Sequence, residues 1–161
     1  MHSLNSLKII GFNKNIMSII KSINNAIVRC VEKKWDCIYL LVDVHGTVFK
    51  PSYLKEEKFE FYPYAKEVLI QFSKAPGVKL ILWTSSTKEY IDKYLNVFEN
   101  NKIHFNYVNE NPEVVRQETD PVSLDLSEKF YFNVGFDDKF GFDPDTDWEL
   151  IYDGIKTDKI Y

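Results

Sequence analysis

The sequence predicts an α/β fold: a three-layer sandwich around a mainly parallel, Rossmann-like sheet, with an N-terminal amphipathic helix ahead of it. Three observations lead there. From residue 36 onward, short apolar runs alternate with helix-length amphipathic stretches, the pattern of βαβ units with right-handed crossovers. Each apolar run ends in polar or acidic residues, as strands do at the rim of an open sheet. The composition is globular, 45% hydrophobic and 27% charged, and 161 residues suffice for one domain with one sizeable core.

The elements follow in order. Residues 14–34 carry Ile16, Ile19, Ile20, Ile23, Ile27 and Val31 on one helical stripe, with Asn13 as N-cap. Asn5, Lys8, Asn13, Lys14, Asn15 and Lys21 break up the apolar residues, so neither a signal-peptide core nor a membrane span is expected. The helix is expected to cover one side of the core; contact with a second copy of the chain is its alternative role. Residues 37–42 read as a buried strand ending at Asp43. Residues 64–74 read as a helix with Ala65, Val68, Leu69 and Phe72 on one face, stopped by Ala75-Pro76-Gly77. A second strand, residues 78–83, ends at Thr84. Residues 87–100 form the next helix, with Tyr90, Ile91, Tyr94, Leu95 and Phe98 on its apolar side. Residues 103–108 read as a third strand, 109–128 as a polar connection and 130–136 as a fourth strand.

Charge and cysteine usage exclude several classes. The chain has 20 basic and 24 acidic residues, net -4, with an isoelectric point near 5.4, which does not favour nucleic acid as a partner. Cys30 and Cys37 are too few for a disulfide framework or a four-ligand zinc site, and they fit a reduced, cytoplasmic setting. The acidic run Asp143-Pro144-Asp145-Thr146-Asp147 is not a calcium loop, because Trp148 and Gly154 stand where an EF-hand needs Gly and Glu. Capping of a short helix near Trp148 accounts for it better.

The strand ends suggest phosphoryl transfer. They deliver Asp43-Val44-His45-Gly46-Thr47, Thr84-Ser85-Ser86, Asn109-Glu110-Asn111 and Asp137-Asp138 to one rim. Asp43 is suited to attack phosphorus as a carboxylate nucleophile. Gly46 allows a sharp turn that brings backbone N–H groups toward phosphate oxygens. Thr84 offers a hydroxyl to a non-bridging oxygen, and Asp137 and Asp138 are hard oxygen ligands of the kind that hold Mg2+.

These residues resemble the haloacid dehalogenase-like (HAD) phosphatases. That family's first motif is an apolar strand followed by DxDxT or DxDGT, here Ile-Tyr-Leu-Leu-Val-Asp43-Val-His45-Gly46-Thr47. Its second motif is similar to Leu-Ile-Leu-Trp-Thr84, and its fourth to Phe-Asn-Val-Gly-Phe-Asp137-Asp138. The resemblance covers residues 36–148 and implies a single HAD-like domain over 35–161, on which the helical extension over 1–34, read from its periodicity, is expected to pack. It also implies a Mg2+-dependent phosphomonoester hydrolase. Asp43 would be the nucleophile and His45 the acid and base. Thr84, Ser85, Gly46 and Arg116 would bind phosphate. Asp43, the backbone carbonyl of His45, Asp137 and Asp138 would hold the metal.

The chain departs from the family's pattern in two places. His45 stands where these phosphatases usually have a second Asp; imidazole is a competent acid and base near neutrality, but its reach and geometry differ. A catalytically weakened binding or regulatory module is therefore the alternative function. The third-motif base is the second departure. Arg116 leaves the third strand on the correct side, Lys139 is its rival, and Lys129 lies roughly 23 Å from Asp137 at about 3.3 Å per strand residue.

Only 16 residues separate Thr47 from Tyr64, enough for a β-flap over residues 49–62, and the 109–128 connection has 20. Neither can build a cap domain, so the expected site is open to a small or macromolecular phosphate.

Overall fold

A computed structural model of the chain describes residues 18–52, 58–114, 130–157 and 160. Its elements are α1 (Ser18–Lys33), β1 (Ile38–Asp43), α2 (Ala65–Lys74), β2 (Val78–Trp83), α3 (Lys88–Asn100), β3 (Tyr107–Val108), β4 (Val134–Phe136) and α4 (Asp147–Lys156). The four strands pair in the order β3-β2-β1-β4, and every pairing is parallel. This is a mixed α/β, Rossmann-like arrangement with β1 and β2 at its centre.

Alternation along the strands divides the core. Ile38, Leu40 and Val42 of β1 share one face with Leu80, Leu82, Val134 and Phe136, and all four helices bury residues there, among them Ile23, Leu69, Phe98 and Trp148. Each such side chain contributes about 1.5–3 kcal/mol by leaving water. Tyr39, Leu41 and Ile81 point to the other face, where Tyr107, Phe130, Tyr131 and Phe132 pack on them. The expected third, helical layer is not found among the described residues. Aromatic rings cover that face instead, and most of the connection expected to cross it, 115–129, lies outside them.

Helix α1 is part of the main core rather than a detached arm. Ile19, Ile20, Ile23, Ala26, Ile27 and Cys30 are buried, and the helix packs on α4, β1 and β4. Val31, assigned to the buried stripe from sequence, is 40% exposed; Cys30 takes its place because it continues the three-and-four spacing from Ile23 and Ile27. Asn13 and Ile16 lie outside the described residues. Gly154 sets how closely α1 and α4 meet: a β-carbon there would stand 2.9 Å from Ile160 Cδ1 and 3.4 Å from Ile20 Cδ1. The apolar face considered for a second copy is thus occupied within the chain.

Two strands are shorter than their apolar runs, for one shared reason. At residue 106 the third run meets β2 with a side chain: Leu80 N donates to Asn106 Oδ1 at 2.9 Å, while Asn106 N donates to Leu80 O. Asn133 does the same before β4, accepting from Tyr39 N at 2.8 Å through Oδ1 and donating its own N–H to Tyr39 O. An asparagine amide that bonds backbone in this way replaces a ladder pair, so regular strand begins only after it. Residues 103–108 and 130–136 therefore contribute two and three strand residues.

Candidate functional site

The carboxyl end of β1 carries Asp43, and the chain then turns at once. Val48 N and Phe49 N both donate to Val44 O, Gly46 N donates to Phe49 O, and Gly46 adopts φ +74°. A β-carbon there would be strained and would lie 3.4 Å from Asp138 Oδ2, so glycine lets this turn approach the fourth motif. The Gly46 N–H itself is used within the turn, on Phe49 O. Antiparallel pairing of Phe49 with Phe61 begins the β-flap; residues 53–57 of it lie outside the described residues.

Thr47 locks the chain after β1 to the chain after β4. It is fully buried; its hydroxyl donates to Asp43 Oδ2 at 3.1 Å and accepts the Asp138 N–H at 3.2 Å. Trp148 Nε1 donates to Thr47 O at 2.8 Å, which anchors the turn on α4. Asp137 is buried and caps the 3-10 turn Asp138–Phe140 by accepting Lys139 N at 2.8 Å. Asp138 is exposed. One ligand atom from each of Asp43, Asp137 and Asp138 lies within 4.8 Å of the other two.

The electrostatics of that cluster are unfavourable as it stands. Burial pushes the Asp43 carboxyl above the usual range, and Asp137 adds to the shift. The Thr47 hydroxyl and Val44 amide oppose it, and Asp138 adds a smaller rise. Among the described residues, no lysine or arginine forms an ion pair with any of the three. Three carboxylates this close, with negative charge left over, could hold a divalent cation.

The second motif lies beside the first because Asp43 and Trp83 are register partners. Thr84 is buried next in the chain, and Asn109 clamps it: Thr84 N donates to Asn109 Oδ1 at 2.9 Å and Asn109 Nδ2 donates to Thr84 O at 2.7 Å. Asn109 adopts φ 55° to make this contact, a conformation asparagine tolerates. Ser85 is exposed at the rim.

A line of hydroxyls crosses from Thr84 to the first motif. Thr84 Oγ1 donates to Ser86 Oγ at 3.0 Å, Ser86 Oγ lies 3.2 Å from Tyr94 Oη, and Tyr94 Oη lies 3.1 Å from His45 Nε2. The His45 ring meets Tyr94 edge-on at 5.2 Å between centroids. His45 is exposed, whereas Tyr94 is 1% exposed on α3.

The structure thus brings together Asp43, Asp137 and Asp138, and it places His45, Gly46, Thr84 and Ser85 at the same rim. Arg116 and Lys129 lie outside the described residues; Lys139 is exposed beside the pair. Sequence reasoning passed over Thr47, Ser86, Tyr94 and Asn109 as site residues. Thr47 had a usable signal as the last position of the first motif, while Tyr94 read as core because it occupies an apolar helix face. The run 143–147 does shape the start of α4: Asp143 N donates to Asp147 Oδ2 at 2.9 Å, and Asp143 Oδ1 accepts Asp145 N. A cavity of about 600 Å³ lies away from these residues, at the amino-terminal rim, among Trp35, Cys37, Tyr39 and Glu113.

No family model matches the chain, and no curated protein matches it. A solved structure of a conserved protein from Bacteroides thetaiotaomicron is similar, with 27% identity, a TM-score of 0.53, and coverage of 75% of this chain and 91% of that one. That likeness extends the α/β fold to a second chain. No helix of the described residues is long and apolar enough to cross a membrane.

Proposed function

We propose that the chain is a Mg2+-dependent phosphatase of the HAD-like type, hydrolysing phosphomonoesters through an aspartyl-phosphate on Asp43. One observation carries this function: Thr47 bonds both Asp43 and the Asp138 backbone, so the strand-end carboxylate and the acidic pair converge where one cation can sit. Asp43, Asp137, Asp138 and the His45 carbonyl would hold Mg2+, which when bound would offset the carboxylate charge and draw electrons from the phosphoryl group.

The chain's own residues perform the other tasks. Asp43 presents one carboxylate oxygen to phosphorus while Thr47 holds the other, Oδ2, in a fixed direction. Attack forms the Asp43 O–P bond and breaks the ester P–O bond. His45 hands a proton to the departing oxygen, then takes one from the water that cleaves the acyl phosphate. Thr84, with its backbone clamped by Asn109, and Ser85 offer groups to the non-bridging oxygens. The short connection after Thr47 leaves the rim open, so the substrate is a small or macromolecular phosphomonoester.

Hydrolysis of p-nitrophenyl phosphate, with Mg2+ and with chelator, tests this. Turnover should need Mg2+ and disappear in Asp43→Asn, whose fold should survive. Comparable turnover by Asp43→Asn would mean that another residue attacks. An inert wild type that still binds Mg2+ and beryllium fluoride would point to the binding or regulatory module.

A further inference from the structure

We propose that Tyr94 is a positioning residue for His45, holding the imidazole by Nε2 so that Nδ1 is the nitrogen presented to substrate. The inference rests on the phosphatase function above and assigns a residue of α3 to the same site.

The argument is a count of hydrogens. Each hydroxyl has one to give. Thr84 spends its hydrogen on Ser86 Oγ, while its own oxygen accepts Ser86 N at 3.2 Å. Ser86 Oγ, already an acceptor, keeps its own hydrogen for Tyr94 Oη, 3.2 Å away, and on that assignment Tyr94 gives its hydrogen to His45 Nε2, 3.1 Å away. With Nε2 accepting, the neutral ring carries its proton on Nδ1. The chain also serves the other state of the ring. Rotating the O–H bonds lets Tyr94 accept from Nε2 and turns each hydroxyl back along the line, so that Thr84 accepts from Ser86 and its own hydrogen is freed for a phosphate oxygen, without moving a heavy atom. In both states Nδ1 faces substrate: from the charged ring it gives its proton to the departing oxygen, and the Nε2–H ring that results has a bare Nδ1 to take one from water.

The position of Tyr94 makes it a rigid holder. Its ring is buried among Phe49, Phe59 and the His45 ring, with centroids 6.4, 5.7 and 5.2 Å away. His45 is exposed and would otherwise sample several rotamers; a buried hydroxyl that fixes it removes that freedom before substrate arrives. The same line of bonds ends at Thr84, so the proton-transferring ring and the phosphate-binding hydroxyl are held in one frame.

Tyr94→Phe keeps the ring and deletes the hydroxyl; Ser86→Ala cuts the line one bond further on. The first readout needs no activity: 15N spectra of histidine-labelled protein with the ring neutral. The wild type should show the Nδ1–H tautomer, and Tyr94→Phe should shift His45 toward Nε2–H. The second is a double-mutant cycle on hydrolysis. Tyr94→Phe should lower kcat by about tenfold or more with KM little changed, Ser86→Ala should lower it less, and Tyr94→Phe should cost nothing further in a His45→Ala background. An Nε2–H wild type unmoved by Tyr94→Phe, or additive losses in the cycle, would overturn the proposal. If the protein hydrolyses nothing, the phosphatase function fails while the spectra still decide the role of Tyr94.

Discussion

The Thr47 hydroxyl donates to Asp43 Oδ2 at 3.1 Å, and the oxygen that makes this bond also accepts the Asp138 N–H at 3.2 Å. One buried side chain thereby sets the distance between the ends of β1 and β4. Thr47→Val keeps the shape and leaves both partners unsatisfied, so it should destabilise the fold by about 1–3 kcal/mol. It should also weaken the Mg2+ response, because Asp43 and Asp138 lose their common reference. Urea denaturation measures the first effect and thermal scans the second. Stability equal to wild type would mean that water replaces the hydroxyl without loss.

Asp138 should be a site where the absence of metal costs stability. Asp43, Asp137 and Asp138 repel one another, and burial with the neighbouring charges already raises the Asp43 carboxyl. Asp138→Asn removes an exposed member without touching the Asp137 cap. In chelator the variant should melt above wild type. In millimolar Mg2+ the order should reverse, because only wild type gains the full binding contribution. A wild-type melting temperature indifferent to Mg2+ would remove the metal site.

Away from the site, Glu113 supports the less covered face of the sheet. It accepts from Lys79 Nζ and the Tyr107 hydroxyl, and from the Tyr39 hydroxyl at 2.7 Å. These contacts, Lys79 first, lower its carboxyl from 4.5 to about 2. A lowered carboxyl stabilises the fold above its unfolded value and loses that effect as pH falls through its folded one. The stability difference between wild type and Glu113→Gln should therefore hold steady above about pH 5 and shrink between pH 4.5 and 2. Urea titrations at several pH values check this; a gap independent of pH would show that the contact acts through shape rather than charge.

The sheet was legible in the sequence because its central strands are short, mostly apolar and punctuated. Residues 78–83 sit between Pro76-Gly77 and Thr84 and form strand throughout. The ends of the third and fourth strands were not legible, because Asn106 and Asn133 look like ordinary polar residues until their amides are seen replacing backbone. The acidic site was legible because strand-end chemistry does not depend on long-range detail. The hydroxyl line was not, since Ser86 reaches Tyr94 and Tyr94 reaches His45, 49 residues away, only once the chain is folded. Periodicity places Tyr94 on the buried face correctly and says nothing of where its oxygen points.

His45 is where an active phosphatase and a weakened module part. An acid and base at this position acts in both halves of the reaction, so His45→Ala should slow turnover by roughly 10²–10⁴-fold. His45→Asp restores the carboxylate that the HAD phosphatases usually carry there, but a shorter side chain cannot keep both the 3.1 Å bond and the edge-on contact with Tyr94. In an active phosphatase the Asp variant should retain turnover well above His45→Ala, and its rate should no longer respond to Tyr94→Phe. In a weakened module, wild type would be nearly inert and His45→Asp would gain orders of magnitude. Steady-state rates for the four proteins separate these outcomes, and wild-type turnover unchanged in His45→Ala would remove His45 from the chemistry.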